Sequence, residues 1–262
     1  MTPRLVTDNH TLRRHYDDLT AGDCIIGRVR IKATEEHLLL DLVERGIQLF
    51  PSALAQLACR SKCLQARLYG KEMVPRTRAI HDLHDMQEAI TLYHRHGIGR
   101  VVTKHDRRNA GMGVHLWNSS EEVFSLASFG SMEFPFVLQP FVEQSRDIRV
   151  IVLGEYVEAY WRHNPHNFRN NLHFGGESSP CELTDPQWQL CQRIMKRGKF
   201  PYAHLDLMVS PDDTTYLAEI NLRGGIRGAC ITPAAYQEKL DAIHQRAADA
   251  FQTNGAPDPT PY

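Results

Sequence analysis

No apolar run in this chain approaches the roughly 20 residues needed to cross a bilayer, and the first residues, Met1–Asp8, lack the apolar core of a signal peptide. No sign of charge dominates. The 30 Lys and Arg against 31 Asp and Glu leave a net charge of −1, so neither nucleic acid nor an anionic membrane is an expected partner. The six cysteines (Cys24, Cys59, Cys63, Cys181, Cys191, Cys230) form no C-x-x-C pair. Cys59 and Cys63 stand four apart on a predicted helix and read as free buried thiols. Together these features predict a protein of the reducing cytoplasm. Also missing are a G-x-x-x-x-G-K loop, a G-x-G-x-x-G opening a helix, any internal repeat and any low-complexity tract. What remains is 262 residues, 42% hydrophobic and 23% charged, enough for one large or two modest globular domains with a substantial core.

Helix and strand patterns alternate along the chain. A weak helix is predicted at 11–19, a strand at 24–29, a helix at 35–44 and a strand at 47–50. Ser52 is read as the cap of one long helix to about Tyr69, and 75–81 as extended. A helix over 82–96 stops at Gly97. Strands at 99–104 and 114–117 flank a polar loop bearing Gly111 and Gly113, and a helix follows from Ser119 or Ser120. After a strand at 136–141, Asp147–Leu153 and Tyr156–Arg162 form a hairpin turning at Gly154-Glu155. The stretch 163–176 reads as a loop, Thr184 caps a helix to about Arg197, and a last helix covers 233–251. Hairpin-linked strands among helices predict an α+β fold with mainly antiparallel sheets. A composition break near Pro135–Gln139 is read as a hinge between two lobes. The expected division is a short front segment (1–50), a first lobe (51–138), a second lobe (139–251) and a mobile tail (252–262).

The most informative stretch is His204–Val209, a polar turn, then Tyr216–Asn221. Alternation puts His204, Asp206 and Met208 on one strand face and Glu219 and Asn221 on a face of the next. A turn centred between Asp212 and Asp213 sets Asp206 opposite Glu219 and His204 opposite Asn221. Two carboxylates across a sheet repel, and a hard cation with oxygen ligands relieves that repulsion. The same residues also suit a solvated polar strand face. Three further signals accompany the hairpin. Lys104 ends a strand before the glycine loop, which suits a phosphate or plain solvent. Asp147 and Arg149 share a strand face, where Arg149 can fork onto an anion; Asp147 can equally pair with Arg162 across the hairpin. Phe168-Arg169-Asn170-Asn171 through Gly175-Gly176 suits an anion or an irregular loop.

In this order, these pieces resemble the ATP-grasp superfamily, most nearly its RimK-type glutamate ligases, from about Arg60 to Arg227. The resemblance implies a nucleotide between two α+β lobes. It implies that Lys62 and Lys104 reach the phosphates and that the loop through Gly111 and Gly113 covers them. Gln139, Pro140 and Phe141 form the adenine linker, and Asp147, Asn170 and Asn171 join the nucleotide site. Arg149 and Arg169 steady the transferred phosphoryl group. Asp206, Glu219 and Asn221 hold Mg²⁺, with Mn²⁺ as an alternative ion. The chain departs from the family at Pro140, where an acid is usual, and at Arg107-Arg108, where small or acidic residues are. It also departs at Leu222-Arg223-Gly224-Gly225, close to the acceptor substrate, and at its short front segment, for which one or two strands and a helix are expected. Apolar surface left by that segment makes room for a homo-oligomer.

The implied activity is an ATP- and Mg²⁺-dependent carboxylate–amine ligation through an acyl phosphate, on amino acid or peptide substrates. A nucleotide-binding module without ligase activity and a small-molecule kinase are the alternatives. Such chemistry needs positioning and charge neutralisation, not a protein nucleophile, so the 14 histidines need no catalytic part. His204, beside the carboxylates, is the one to watch.

Overall fold

The computed structural model describes residues 2–108, 112–170, 172 and 175–257. Its strands form three sheets. The front sheet is parallel, β1 (Leu5–Val6), β2 (Cys24–Ile26) and β3 (Gln48–Phe50) in that order. Parallel neighbours need crossovers, and these carry α1 (Asn9–Arg14) and α2 (His37–Glu44). The front segment is therefore fuller than expected, because a two-residue strand is too short to show alternation. The faces of β2 serve different cores. Ile25 packs with Val6, Leu12, Leu39 and Leu42, whereas Cys24 and Ile26 join the largest core of the molecule. A strand buried on both faces reads as a continuous apolar run, as Cys24-Ile25-Ile26 does.

The single helix predicted from Ser52 is two. α3 (Ala53–Ala58) is capped by Ser52, whose Oγ accepts from Ala55 N at 3.2 Å, and α4 (Lys62–Leu68) by Ser61, whose Oγ accepts from Leu64 N at 3.0 Å. Ser61 is extended (φ −122°, ψ 114°), and this cap conformation breaks the helix. The break puts Lys62 on the first residue of a new helix.

The second sheet is antiparallel with order β4-β7-β5-β6: β4 (Arg78–Ile80), β5 (Val101–His105), β6 (Val114–Trp117) and β7 (Phe136–Pro140). Met86, Ala89 and Tyr93 on α5 (Leu83–Arg95) and Val123 and Ala127 on α6 (Ser120–Ser128) fill its core. Asp82 caps α5, accepting from Asp85 N at 2.9 Å. The third sheet is also antiparallel, with order β10-β9-β8-β11-β12. Its strands are β8 (Arg146–Leu153), β9 (Tyr156–His163), β10 (Glu177–Cys181), β11 (Tyr202–Val209) and β12 (Thr215–Asn221). β8 and β9 pair Asp147 with Arg162, the predicted register. β10 falls between the loop expected over 163–176 and the helix expected from Thr184, where no element was predicted. Its Glu-Ser-Ser-Pro stretch is exposed, and an edge position tolerates the proline. α7 (Asp185–Gly198), opened by a Thr184/Gln187 capping box, and α8 (Pro233–Asn254) bury Ile194, Met195, Leu240 and Ile243 in the same core as this sheet.

β12 is an edge strand, and α4 covers it. The buried Gln65 amide pairs with both backbone groups of one residue: Nε2 donates to Ile220 O at 2.9 Å and Oε1 accepts from Ile220 N at 3.0 Å. Leu217 N donates to Glu72 O at 2.7 Å. Edges left bare invite foreign pairing; here Gln65 of α4 and the Glu72 carbonyl take the place of a sixth strand. Gln65→Leu keeps the volume and strands both Ile220 groups. It is expected to lower unfolding free energy by about 2 kcal/mol or more, against less than about 0.5 kcal/mol for a control at exposed Gln87. Urea unfolding of both variants measures this, and equal effects would refute the clamp.

Candidate active site

The β11–β12 hairpin sets Asp206 opposite Glu219 and His204 opposite Asn221, as predicted. It arrives there by two compensating departures. The outer pairs, Val209–Thr215 to Leu207–Leu217, centre the turn on Asp212, and a bulge at Ala218 then restores the predicted register. A bulge leaves its extra residue outside the ladder. The freed Ala218 carbonyl accepts from Lys104 Nζ at 3.4 Å, so a lysine of the second sheet reaches the carboxylate hairpin of the third.

Between these two sheets lies a cavity of about 630 Å³. Lys62, Lys104, Gln139, Phe141, Asp147, Arg149, Arg169, Asn170, Asp206, Glu219 and Asn221 all line it. Pro140 ends β7 paired with Val101, outside the lining. Gly113 O accepts from His105 N at 2.8 Å, closing the base of the glycine loop. A Cβ on Gly113 would stand 2.6 Å from Arg108 Cβ and 2.9 Å from His105 Cβ, which only glycine avoids. Gly111 and Asn171 lie outside the described residues. Phe141 N donates to Arg100 O at 3.0 Å, and Pro140 has no N–H. The linker thus offers a ligand its carbonyls and the Phe141 ring, which has Phe168 edge-on at 6.3 Å.

The charges in the cavity are interlocked. Arg149 forks onto Asp206, Nε to Oδ1 and, at 3.0 Å, Nη2 to Oδ2. Arg162 lies 3.2 Å from Asp206 and 4.0 Å from Asp147. Burial pushes the Asp206 carboxyl up, but Arg149 and Arg162 outweigh it and hold the pKa down at about 2. For Asp147 burial wins over the attraction of Arg162, and the pKa rises to about 6. Lys62 Nζ is 3.3 Å from Glu219 Oε1. Burial pulls the Lys104 ammonium down despite nearby Glu219. Arg169 stacks on Phe168 at 4.2 Å and donates from Nε to Val114 O at 3.1 Å. Asn170 donates from Nδ2 to Ser145 O at 3.4 Å.

Arg162 was legible as the partner of Asp147, but not its reach to Asp206. Arg28, Arg223 and Arg227 also line the cavity. The Leu222–Gly225 departure marked Arg223; no pattern marked Arg28 or Arg227. Cys59 lines the cavity too, and burial pushes its thiol up, away from a nucleophilic thiolate. Among the described residues no three His, Cys, Asp or Glu side chains cluster around a point. A cation here would rest on Asp206, Glu219, the Asn221 amide oxygen and oxygens of its ligand. That donor set fits Mg²⁺, commonly held by one or two carboxylates plus substrate phosphates.

A family model, RimK-like ATP-grasp domain, matches residues 59–235. The chain is 27% identical over 187 residues to glutathione synthetase of Agrobacterium fabrum, a match spanning 65% of this chain and 57% of that protein. It is 25% identical over 235 residues to a probable alpha-L-glutamate ligase of Shewanella frigidimarina, covering 86% and 77% of the two chains. The structure resembles D-cycloserine synthetase (TM-score 0.61, 14% identity, 85% and 83% coverage). It also resembles a RiPP-associated ATP-grasp ligase of Chryseobacterium gregarium (TM-score 0.58, 17% identity, 86% and 76% coverage). The expected α+β ATP-grasp fold is borne out, and these relatives favour a carboxylate–amine ligase over a bare nucleotide-binding module or a kinase. No described helix is long and apolar enough to cross a membrane. With two thirds of its length under that family model, the chain belongs to the RimK-like ATP-grasp domain family.

Proposed function

We propose that this protein is an ATP- and Mg²⁺-dependent carboxylate–amine ligase acting on amino acid or peptide substrates. The observation that carries the reading is the Asp206–Glu219 cross-strand pair facing Lys62 and Lys104 in one cavity with Arg149. A carboxylate is a poor acyl donor. Transfer of the ATP γ-phosphoryl group to it gives an acyl phosphate with a good leaving group, which an amine then displaces. Lys62 and Lys104 neutralise the ATP phosphates, and Arg149 and Arg169 steady the phosphoryl group in flight. Asp206, Glu219 and Asn221 hold the Mg²⁺, which when bound neutralises phosphate charge; Mn²⁺ offers the same oxygen chemistry. Gln139, Pro140 and Phe141 frame the adenine, Asp147, Asn170 and Asn171 complete the nucleotide site, and the loop through Gly111 and Gly113 lies over the phosphates. The Arg149–Asp206 fork keeps Asp206 ionised before any ligand arrives.

The division at 50, 138 and 251 is proposed as front segment, two ATP-grasp lobes and tail. A reducing cytoplasm suits the free thiols. A homo-oligomer is the proposed cover for exposed Leu40 and Val43 on α2.

Incubation with ATP, Mg²⁺ and pooled amino acids and short peptides is expected to release ADP with an amide product of matching mass; a folded protein that binds no nucleotide would refute the reading. Glu219→Gln preserves shape and removes one charge. ADP release should fall by about 100-fold or more with melting temperature nearly unchanged, and a fully active variant would remove Glu219 from the metal site.

Asp147 supplies a pH prediction for the ligand-free protein. Its folded pKa, about 6, lies above the ordinary 3.8. Ionising it therefore costs stability as pH rises through that window, while below about pH 4 it is protonated folded or unfolded. Asp147→Asn leaves Arg162 its Asp206 contact. It should stabilise the protein by about 1–3 kcal/mol at pH 7.5 and by little at pH 4. Urea titrations at the two pH values decide, and a gap independent of pH counts against the raised pKa.

A further inference from the structure

Among the cavity-lining arginines with no part in the chemistry above are Arg28 and Arg223. Arg28 follows β2 in the front sheet, and Arg223 follows β12 where the chain leaves the family pattern. Both are exposed, and neither guanidinium has a hydrogen bond or ion pair with a described residue. Both line the cavity within electrostatic reach of the same residues, Tyr202 and Tyr236, and Arg223 also acts on His204. Burial pushes the Tyr236 and Tyr202 hydroxyls and the Cys59 thiol up; Arg28 and Arg223 partly offset this at both tyrosines, and Arg28 does so at Cys59, to which Leu222 is hydrogen-bonded.

One of these residues is a buried group with spare capacity. His204 is 2% exposed and its Nε2 stands 2.9 Å from Tyr236 Oη, but its Nδ1 has no partner. That Nδ1 lies against Gly224, where a Cβ would come within 2.8 Å of it and within 2.9 Å of Arg149 Nη1. Gly224, next to Arg223, therefore carries backbone close to both groups, and it lines the cavity. Ordinary surface arginines diverge into solvent or pair with carboxylates. Two left unpaired within reach of the same tyrosines, in a cavity that also holds the cationic Arg149, raise a local positive potential that an anion relieves.

We infer that Arg28 and Arg223 form a second anion subsite of the cavity, which holds a carboxylate of the amino acid or peptide substrate other than the one that reacts. The planar fork of each suits a carboxylate. The Gly224 backbone, resting on His204, forms the adjoining floor. The inference rests on the ligase reading and adds a role for the front sheet, which supplies Arg28.

The test is the double variant Arg28→Ala/Arg223→Ala, whose exposed, unpaired side chains are dispensable for folding. With donor and acceptor varied in turn from the same pools of amino acids and short peptides, the variant should raise the KM of one substrate by about tenfold or more, the loss of a charge-assisted bond. The kcat, the other KM and ATP·Mg²⁺ binding should hold within about threefold. The raised KM identifies whether donor or acceptor occupies the subsite. An analogue of that substrate with its non-reacting carboxylate converted to an amide should show the same deficit in the wild type and no added loss in the variant. Arginine-to-lysine replacements should restore part of the affinity. Unchanged KM values, or a fall in kcat for every substrate, overturn the inference. If the pools yield no ADP, succinate added to the ADP·Mg²⁺-saturated protein should raise the melting temperature of the wild type and not of the variant; equal shifts, or none, also overturn it. A wild type that binds no nucleotide refutes the ligase reading itself.

Discussion

Two carboxylates face each other across the β11–β12 hairpin, and much of the molecule is arranged to make that tolerable. Removing an ion from water costs several kcal/mol even after the protein relaxes, and Asp206 is 15% exposed at its side chain. Compensation comes from three directions. Arg149 and Arg162 reach Asp206 from β8 and β9, and Lys62 reaches Glu219 from α4. Lys104 reaches the Ala218 carbonyl from β5. The last two come from outside the third sheet, so the same charges that flank the carboxylates also tie α4 and the second sheet to the third around the cavity.

This arrangement depends on backbone detail more than on side-chain identity. Without the Ala218 bulge, β12 would lose its present match to β11, in which Asp206 and Glu219 stand opposite. Without the break at Ser61, Lys62 would sit mid-helix. The Gln65 clamp then fixes α4 against β12 by pairing both groups of Ile220, so Lys62 on that helix and Glu219 beside Ile220 keep their 3.3 Å separation. One short helix thus supplies a cation, caps a sheet edge and sets the distance between the two.

The parts of the site legible in the sequence are those written in alternation on adjacent strands. Asp147 with Arg162 and Asp206 with Glu219 follow from hairpin periodicity, and the order of motifs led to the fold. The hairpin register was reached through a turn centre half a residue off and a bulge that cancelled it, since periodicity averages over such offsets. The break between α3 and α4 was hidden because Cys59-Arg60-Ser61-Lys62 interrupts no apolar periodicity; only the Ser61 cap conformation reveals it. β1 and β10 escaped because one is two residues long and the other is an exposed edge. Arg28 escaped for a different reason. Its place in the cavity depends on how the front sheet packs, through Cys24, Ile26 and Phe50, into the core of the third sheet, and no local pattern records that packing.

The base of the glycine loop shows how a departure from family pattern acquires physical meaning. Asp106 Oδ1 accepts from Ser61 Oγ at 3.0 Å and from Cys63 N at 3.1 Å, which binds the loop to the start of α4. Arg107, held at φ +61°, forks onto Glu36 at 2.6 and 2.9 Å and donates to Ala33 O at 3.1 Å. A left-handed arginine costs roughly 1–2 kcal/mol, and these charge-assisted bonds are enough to offset that. Lys62 Nζ completes the base by donating to Arg108 O at 2.7 Å. A small or acidic residue at 107 could not make the link to Glu36. Arg107 therefore anchors the loop to the front segment and Asp106 anchors it to α4, while the Arg108 carbonyl joins it to the lysine that balances Glu219. In this chain the front sheet is coupled to the cavity twice, through Arg107 at the loop and through Arg28 at the opposite segment, so its packing against the lobes bears directly on the geometry of the site.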